Sequence, residues 1–193
     1  MVAALEALIG PRAAEFSRVW RDKQLEYSFR RGLMGRYQDF ACCTAQALEW
    51  TCAAFEAPLD GAQRRALLEA YRVLPAFPDA GEGLRRAREQ GFRCYAFSNG
   101  RAEAVEALLV HAGIRELFLD VVSVDEVQSF KPDPAVYAHF LRRAGALPGE
   151  AWLISGNPFD VIGALGAGFR AAWVQRSPQA VFDPWDLAPT LSP

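Results

Sequence analysis

The stretch Phe92-Arg-Cys-Tyr-Ala-Phe-Ser-Asn-Gly100 decides the fold. Aromatic and small apolar residues fill its first six positions and suit a pleated, half-buried strand, and Ser98-Asn-Gly100 then supplies turn chemistry that stops it. Downstream, Arg101 to Ala112 reads as a helix and Leu119-Asp-Val-Val-Ser-Val124 as a second strand. Pro134 stands where a helix can start, leading through Tyr137 and Phe140 to Ala144. Trp152-Leu-Ile-Ser155 is a third strand, Phe159 to Ala167 a helix, and Ala171-Ala-Trp-Val-Gln175 a fourth strand. Strand alternating with helix predicts an α/β fold with a doubly wound parallel sheet.

Upstream the pattern differs. Up to Tyr71 the chain is rich in Ala, Leu, Glu and Arg, and Phe16, Val19, Trp20 and Tyr27 recur at spacings suited to one helical face. Further helices are expected from about Thr44 to Phe55 and from about Gly61 to Tyr71, with a loop around Pro58-Leu-Asp60. The division falls near Pro75–Pro78, giving a small helical lobe over residues 1–75 and an α/β core over 76–193. From Ser177 onward, prolines mark an irregular tail.

The 193 residues carry 21 basic and 23 acidic side chains for a formal charge of −2, a balance that recruits neither nucleic acid nor an anionic membrane. Cys42, Cys43, Cys52 and Cys94 form no C-x-x-C pair, and His111 and His139 lie far from them, so no zinc pattern is present. Adjacent Cys42 and Cys43 read as small buried apolar residues of a reduced, cytoplasmic protein. No apolar run approaches the roughly 20 residues that span a bilayer.

Ligands of open parallel sheets bind beyond the carboxyl ends of the strands. The first strand here is followed by Ser98, Asn99 and Gly100, and the second by Asp125 and then Lys131-Pro132. Gly156, Asn157 and Asp160 follow the third. Each group has a bland reading: Ser-Asn-Gly is a common turn, a lysine in Phe-Lys-Pro sits often on the surface, and an aspartate opening a helix is often a cap. Their convergence is more specific than any one of them.

Phe97-Ser-Asn-Gly100, Phe130-Lys-Pro-Asp-Pro134 and Ser155-Gly-Asn-Pro-Phe-Asp160 resemble the second, third and fourth motifs of haloacid-dehalogenase-like hydrolases. Trp20-Arg-Asp-Lys-Gln-Leu-Glu-Tyr-Ser28, with Arg31 and Leu33-Met-Gly-Arg-Tyr37, is similar to the cap helix of the L-2-haloacid dehalogenases. The resemblance runs from about Val19 to Arg176. It implies a small-molecule 2-haloacid as substrate and a two-step hydrolysis. An aspartate carboxylate displaces halide from C2, and water then opens the resulting ester to release a 2-hydroxy acid of inverted configuration.

Residue by residue, the resemblance implies that Lys131 steers the nucleophile and favours its ionised form. Arg31 would receive the halide with help from Asn99, although Arg30 and Arg36 compete for that role and helix arginines usually face solvent. Ser98 and Asn99 would bind the substrate carboxylate. Asp160, with Asn157 and Ser155, would place and activate the hydrolytic water. Tyr137 would hydrogen-bond near the carboxylates, and Phe159 would wall the C2 substituent; packing explains either aromatic equally well. Where phosphatases of the superfamily carry an acidic Mg²⁺ ligand, this chain aligns the neutral Asn157, which suits a monoanionic substrate without metal or other cofactor. The resemblance also implies a homodimer as one assembly, and the cap's aromatic face either serves that contact or packs on its own core.

One element of the family pattern is not found. Its first motif is an aspartate at the end of a strand, whereas Asp22, Asp39 and Asp60, the only aspartates of the first seventy residues, follow no strand. In that fold the first strand lies between those ending at Ser98 and Ser155, so its loss is expected to leave backbone groups unpaired on both neighbours unless Val2–Ile9 fills the place. The expectation is a start too late by roughly 10–20 residues, about one strand and its turn, and a chain that does not turn over haloacids as written. Two further readings stand beside the dehalogenase: a Mg²⁺-dependent phosphatase of the same superfamily, against which Asn157 and the Arg31 motif count, and a non-catalytic relative keeping an anion pocket of Arg31, Ser98 and Lys131.

Overall fold

The computed structural model describes residues 2–192, with two compact units dividing at Asp125 and Glu126. The first unit opens with α1 (Val2–Ile9), α2 (Ala13–Leu33), α3 (Phe40–Ala54) and α4 (Gly61–Ala70). Val2–Ile9 is therefore helix and supplies no strand. Its Leu5 is buried with Phe16 and Trp20 of α2, Leu48 and Cys52 of α3, and Leu67 of α4. Trp20 meets Tyr71 edge-on at 5.0 Å and Phe16 meets Phe55 at 5.2 Å, so the aromatic stripe seen in the sequence is the inside of this lobe. The Trp20 indole N–H, which burial would otherwise orphan, donates to the Thr44 carbonyl at 2.9 Å.

Helix ends follow side-chain chemistry. The Asp39 carboxylate accepts from the Cys42 amide, so α3 begins four residues earlier than the expected Thr44. At α4, Asp60 and Gln63 form a reciprocal capping box. A fifth helix, α5 (Ala80–Glu89), was not anticipated. Gly81 and Gly83 lower its intrinsic propensity, and its amphipathic pattern is carried by arginines rather than by a long apolar stripe.

The rest of the first unit is a parallel β-α-β: β1 (Tyr95–Ser98), α6 (Ala102–His111) and β2 (Asp120–Ser123). The strands pair in register from Tyr95↔Asp120 to Ser98↔Ser123. Phe92 and Arg93 precede β1 rather than belong to it, following Gly91 at φ +84°. The second unit holds α7 (Pro134–Ala144) and a second β-α-β: β3 (Trp152–Ser155), α8 (Pro158–Gly166) and β4 (Arg170–Trp173). Asp133 caps α7, Pro134 opens it, and left-handed Gly145 closes it. The β3–β4 pair is parallel, from Trp152↔Arg170 to Ser155↔Trp173.

Among the described residues the strands form two parallel pairs. The tail covers the outer edge of β4, with a parallel bridge between Ala172 and Leu191. Among the described residues no strand lies against the other edge of β3 or of β1. In keeping with this, Ile154 on β3 is 64% exposed and every residue of β1 is only half-buried. Helices of the chain alternate with these strands as the α/β reading requires.

Candidate active site

The second unit brings three of the sequence-derived site residues into direct contact. Lys131 lies in the connection between β2 and α7. Its loop is fixed by buried Phe130, by the Asp133 amide donating to the Phe130 carbonyl at 2.9 Å, and by the Ser129 hydroxyl donating to the Asp133 carboxylate. Lys131 is 5% exposed and its Nζ stands 3.1 Å from Oδ2 of Asp160, itself 6% exposed. Tyr137, one turn into α7, donates its hydroxyl to Asp160 Oδ1 at 3.0 Å and lies 3.2 Å from the Asp160 carbonyl.

Asp160 is not the cap of α8; Asn157 holds that position, and its side chain makes no capping bond. The carboxylate stays in the first turn, where the helix dipole favours negative charge, and turns toward Lys131 and Tyr137. Burial lowers the Lys131 pKa, and the Asp160 charge and hydrogen bond pull it back up. The Tyr137 hydroxyl is pushed far up, first by burial and then by the same carboxylate, so it stays a donor. Ser155 closes β3, and its hydroxyl oxygen accepts from the Asn157 amide at 3.1 Å, which fixes the turn between them. Phe159 is half-buried at the head of α8.

This packing depends on a residue the sequence reading passed over. Gly163 faces Tyr137 so closely that a Cβ there would overlap the phenol ring and come within 2.8 Å of Pro132 Cβ. The available signal was its place three residues after Asp160, on the same helical face.

The first unit carries the remaining candidates. Ser98 and Asn99 stand at the carboxyl end of β1. The Ser98 hydroxyl oxygen accepts from the Gly100 amide at 3.0 Å, while the Ser123 hydroxyl donates to the Gly100 carbonyl at 2.8 Å, so the ends of β1 and β2 are tied together. Arg31 lies in the last turn of α2. Its Nη2 donates to Gln46 Oε1 at 2.8 Å and its Nη1 to the Arg36 carbonyl at 3.1 Å. Of the other arginines weighed for that role, Arg30 is an exposed partner of Glu26, and Arg36 accepts from Arg31 through its backbone carbonyl. Tyr37 donates to Asp125 Oδ1 at 2.8 Å, joining the Leu33–Tyr37 motif to the segment after β2. Neither Gln46 nor the Tyr37–Asp125 bond was marked by any pattern in the sequence, since both arise from contacts between distant segments.

A buried cation held by one carboxylate can orient a second anion, a half-buried guanidinium can take an anion in its fork, and hydroxyl and amide groups at strand ends can bind a carboxylate. No helix among the described residues is long and apolar enough to cross a membrane. Residues 2–168 match the family model for haloacid dehalogenase-like hydrolases. The (S)-2-haloacid dehalogenase of Pseudomonas sp. (strain YL) is 37% identical over 166 residues, which cover 86% of this chain and 72% of that protein. The L-2-haloacid dehalogenase of Xanthobacter autotrophicus, solved with chloropropionic acid covalently bound, superposes with a TM-score of 0.85 at 37% identity over 92% of this chain and 72% of that one. Another solved L-2-haloacid dehalogenase gives a TM-score of 0.95 at 33% identity over 99% of this chain and 86% of its own. A family-model match over most of the chain and relatives above 30% identity place it plainly: this chain belongs to the haloacid dehalogenase-like hydrolases and is homologous to the (S)-2-haloacid dehalogenases.

Proposed function

We propose that this chain serves the hydrolysis of (S)-2-haloacids to 2-hydroxy acids. The observation that carries the reading is the buried group of Lys131, Asp160 and Tyr137, in a chain similar over most of its length to (S)-2-haloacid dehalogenases. In the first step an aspartate carboxylate attacks C2, the carbon–halogen bond breaks, and halide leaves with the bonding electrons. In the second, water adds to the carbonyl carbon of the ester, loses a proton to a base, and the aspartate leaves as carboxylate.

Lys131 steers the attacking carboxylate and keeps it ionised. Asp160, with Asn157 and Ser155, holds the water and takes its proton. Ser98 and Asn99 bind the substrate carboxylate, Arg31 takes the halide, Tyr137 fixes Asp160, and Phe159 walls the C2 substituent. The neutral amide of Asn157 favours a monoanionic acid over a Mg²⁺-bound phosphate. Residues 1–75 are assigned as cap and 76–193 as core, in a cytoplasmic protein that works as a homodimer.

The attacking aspartate belongs to a first motif not found within residues 1–193. These residues alone are therefore proposed to bind the acid without turning it over. Saturation-transfer NMR with (S)-2-chloropropionate, alongside ion chromatography for chloride, tests both halves. Binding without chloride release is expected. Sustained release refutes the need for the first-motif aspartate, and no binding refutes the haloacid reading. Mg²⁺-dependent phosphate release from small phosphate esters replaces it with a phosphatase.

A further inference from the structure

Four hydrogen bonds run in series from the helical lobe to the carboxyl end of β1. The Tyr37 hydroxyl, in the connection between α2 and α3, donates to Asp125 Oδ1 at 2.8 Å. The Asp125 amide donates to the Ser123 hydroxyl oxygen at 3.1 Å, and the Ser123 hydroxyl donates to the Gly100 carbonyl at 2.8 Å. The Gly100 amide then donates to the Ser98 hydroxyl oxygen at 3.0 Å. Every link has one possible direction. An amide N–H only donates and a carbonyl only accepts, so buried Ser123 spends its proton on Gly100. Burial, and after it the Asp125 carboxylate, pushes the Tyr37 hydroxyl far up, so it too stays a donor. The last acceptor is Ser98 Oγ, whose own proton the series leaves unspent.

A serine hydroxyl carries one proton and two lone pairs. With a lone pair held by the Gly100 amide, the Ser98 oxygen is fixed and its proton is turned to an acceptor outside the turn, which suits an anionic carboxylate. Asp125 is the joint of the series, since the lobe holds its side chain and the end of β2 holds its backbone. Its second oxygen, Oδ2, faces Arg101 Nε at 3.8 Å, at the head of α6 directly after the Ser98–Gly100 turn. We infer that Asp125 is a positioning residue for the substrate carboxylate: anchored by Tyr37, it holds Ser123 and the Gly100 turn so that Ser98 presents its hydroxyl as a donor. The inference rests on the carboxylate role proposed for Ser98.

Titration of (S)-2-chloropropionate into the full chain and its variants, followed by saturation-transfer NMR, gives the affinities that test this, with circular dichroism confirming the fold of each variant. Ser98→Ala is expected to weaken binding about tenfold or more, for one lost hydrogen bond to a charged group. Tyr37→Phe and Asp125→Ala, both at half-buried positions, are each expected to weaken it about threefold. Asp125→Asn keeps an oxygen that accepts from Tyr37 and should retain at least about half of the affinity. The deciding measurement is a double-variant cycle. In a Ser98→Ala background, Tyr37→Phe should change affinity by less than about 1.5-fold, because its effect passes through Ser98. A merely structural role would give the same loss with or without the Ser98 hydroxyl. Such additivity, or parent affinity in both Tyr37→Phe and Asp125→Ala, overturns the inference and leaves the haloacid reading intact. Binding that Ser98→Ala does not weaken removes the carboxylate role of Ser98 and the inference with it. A parent chain that does not bind the acid overturns the haloacid reading as well.

Discussion

Replacing Lys131 by Met tests whether the buried pair has the energetics its geometry implies. The substitution conserves most of the side-chain volume but removes the Nζ that stands 3.1 Å from Asp160 Oδ2. Asp160, 6% exposed, would keep the Tyr137 hydroxyl but have no cation. Breaking one side of a buried pair costs about 3–5 kcal/mol, because the remaining charge is desolvated without compensation. At roughly 2–4 °C per kcal/mol for a chain of this size, the melting temperature should fall by about 6–20 °C. Asp160→Asn should cost less, since burial already lowers the Lys131 pKa and the amine can shed its proton. The double variant should recover much of the loss, giving a coupling of about 2 kcal/mol or more. Urea denaturation of the parent, both single variants and the double variant measures all of these. A Lys131→Met cost below about 1 kcal/mol, or additivity of the two changes within about 0.5 kcal/mol, would refute the reasoning.

Two further expectations concern the same group. Gly163→Ala drives a Cβ into Tyr137 and Pro132, so it should destabilise by about 1–3 kcal/mol and displace the Tyr137 hydroxyl from Asp160; an unchanged melting temperature would contradict the close packing. Alkaline titration should show two opposed effects, readable as stability against pH in parent, Lys131→Met and Tyr137→Phe. Lys131 is depressed in the folded state, so between that value and 10.5 the unfolded chain binds more protons and stability from this residue rises with pH. Tyr137 is raised, so its contribution is present below 10 and lost as pH climbs above it. Profiles that superpose for parent and both variants would show that neither group is perturbed by burial.

The chemistry of the chain was legible early because it sits in short motifs at strand ends. Apolar runs followed by Ser98-Asn-Gly100 and Ser155-Gly-Asn157 give both a strand and its terminating turn, and Pro134 and Pro158 fix helix starts by their missing N–H. Boundaries were less legible. Asp39 moved the start of α3 by capping it, and Phe92 was left outside β1 although its composition suits a strand. The helix α5 escaped because Gly81 and Gly83 lower its propensity and it buries no residue that would mark an apolar face.

The sequence by itself determined the alternation of elements, the family and the residue types available for an anion site, since these depend on local propensity and on motifs a few residues long. Only the tertiary structure decided which of them meet. Lys131 and Asp160 are twenty-nine residues apart in sequence, and whether they meet depends on where the loop before α7 and the first turn of α8 are carried by their strands. Arg31 likewise meets Gln46, fifteen residues away on another helix. Hydrogen bonds and burial are properties of neighbours in space, and neighbours distant in sequence leave no periodic trace in either segment.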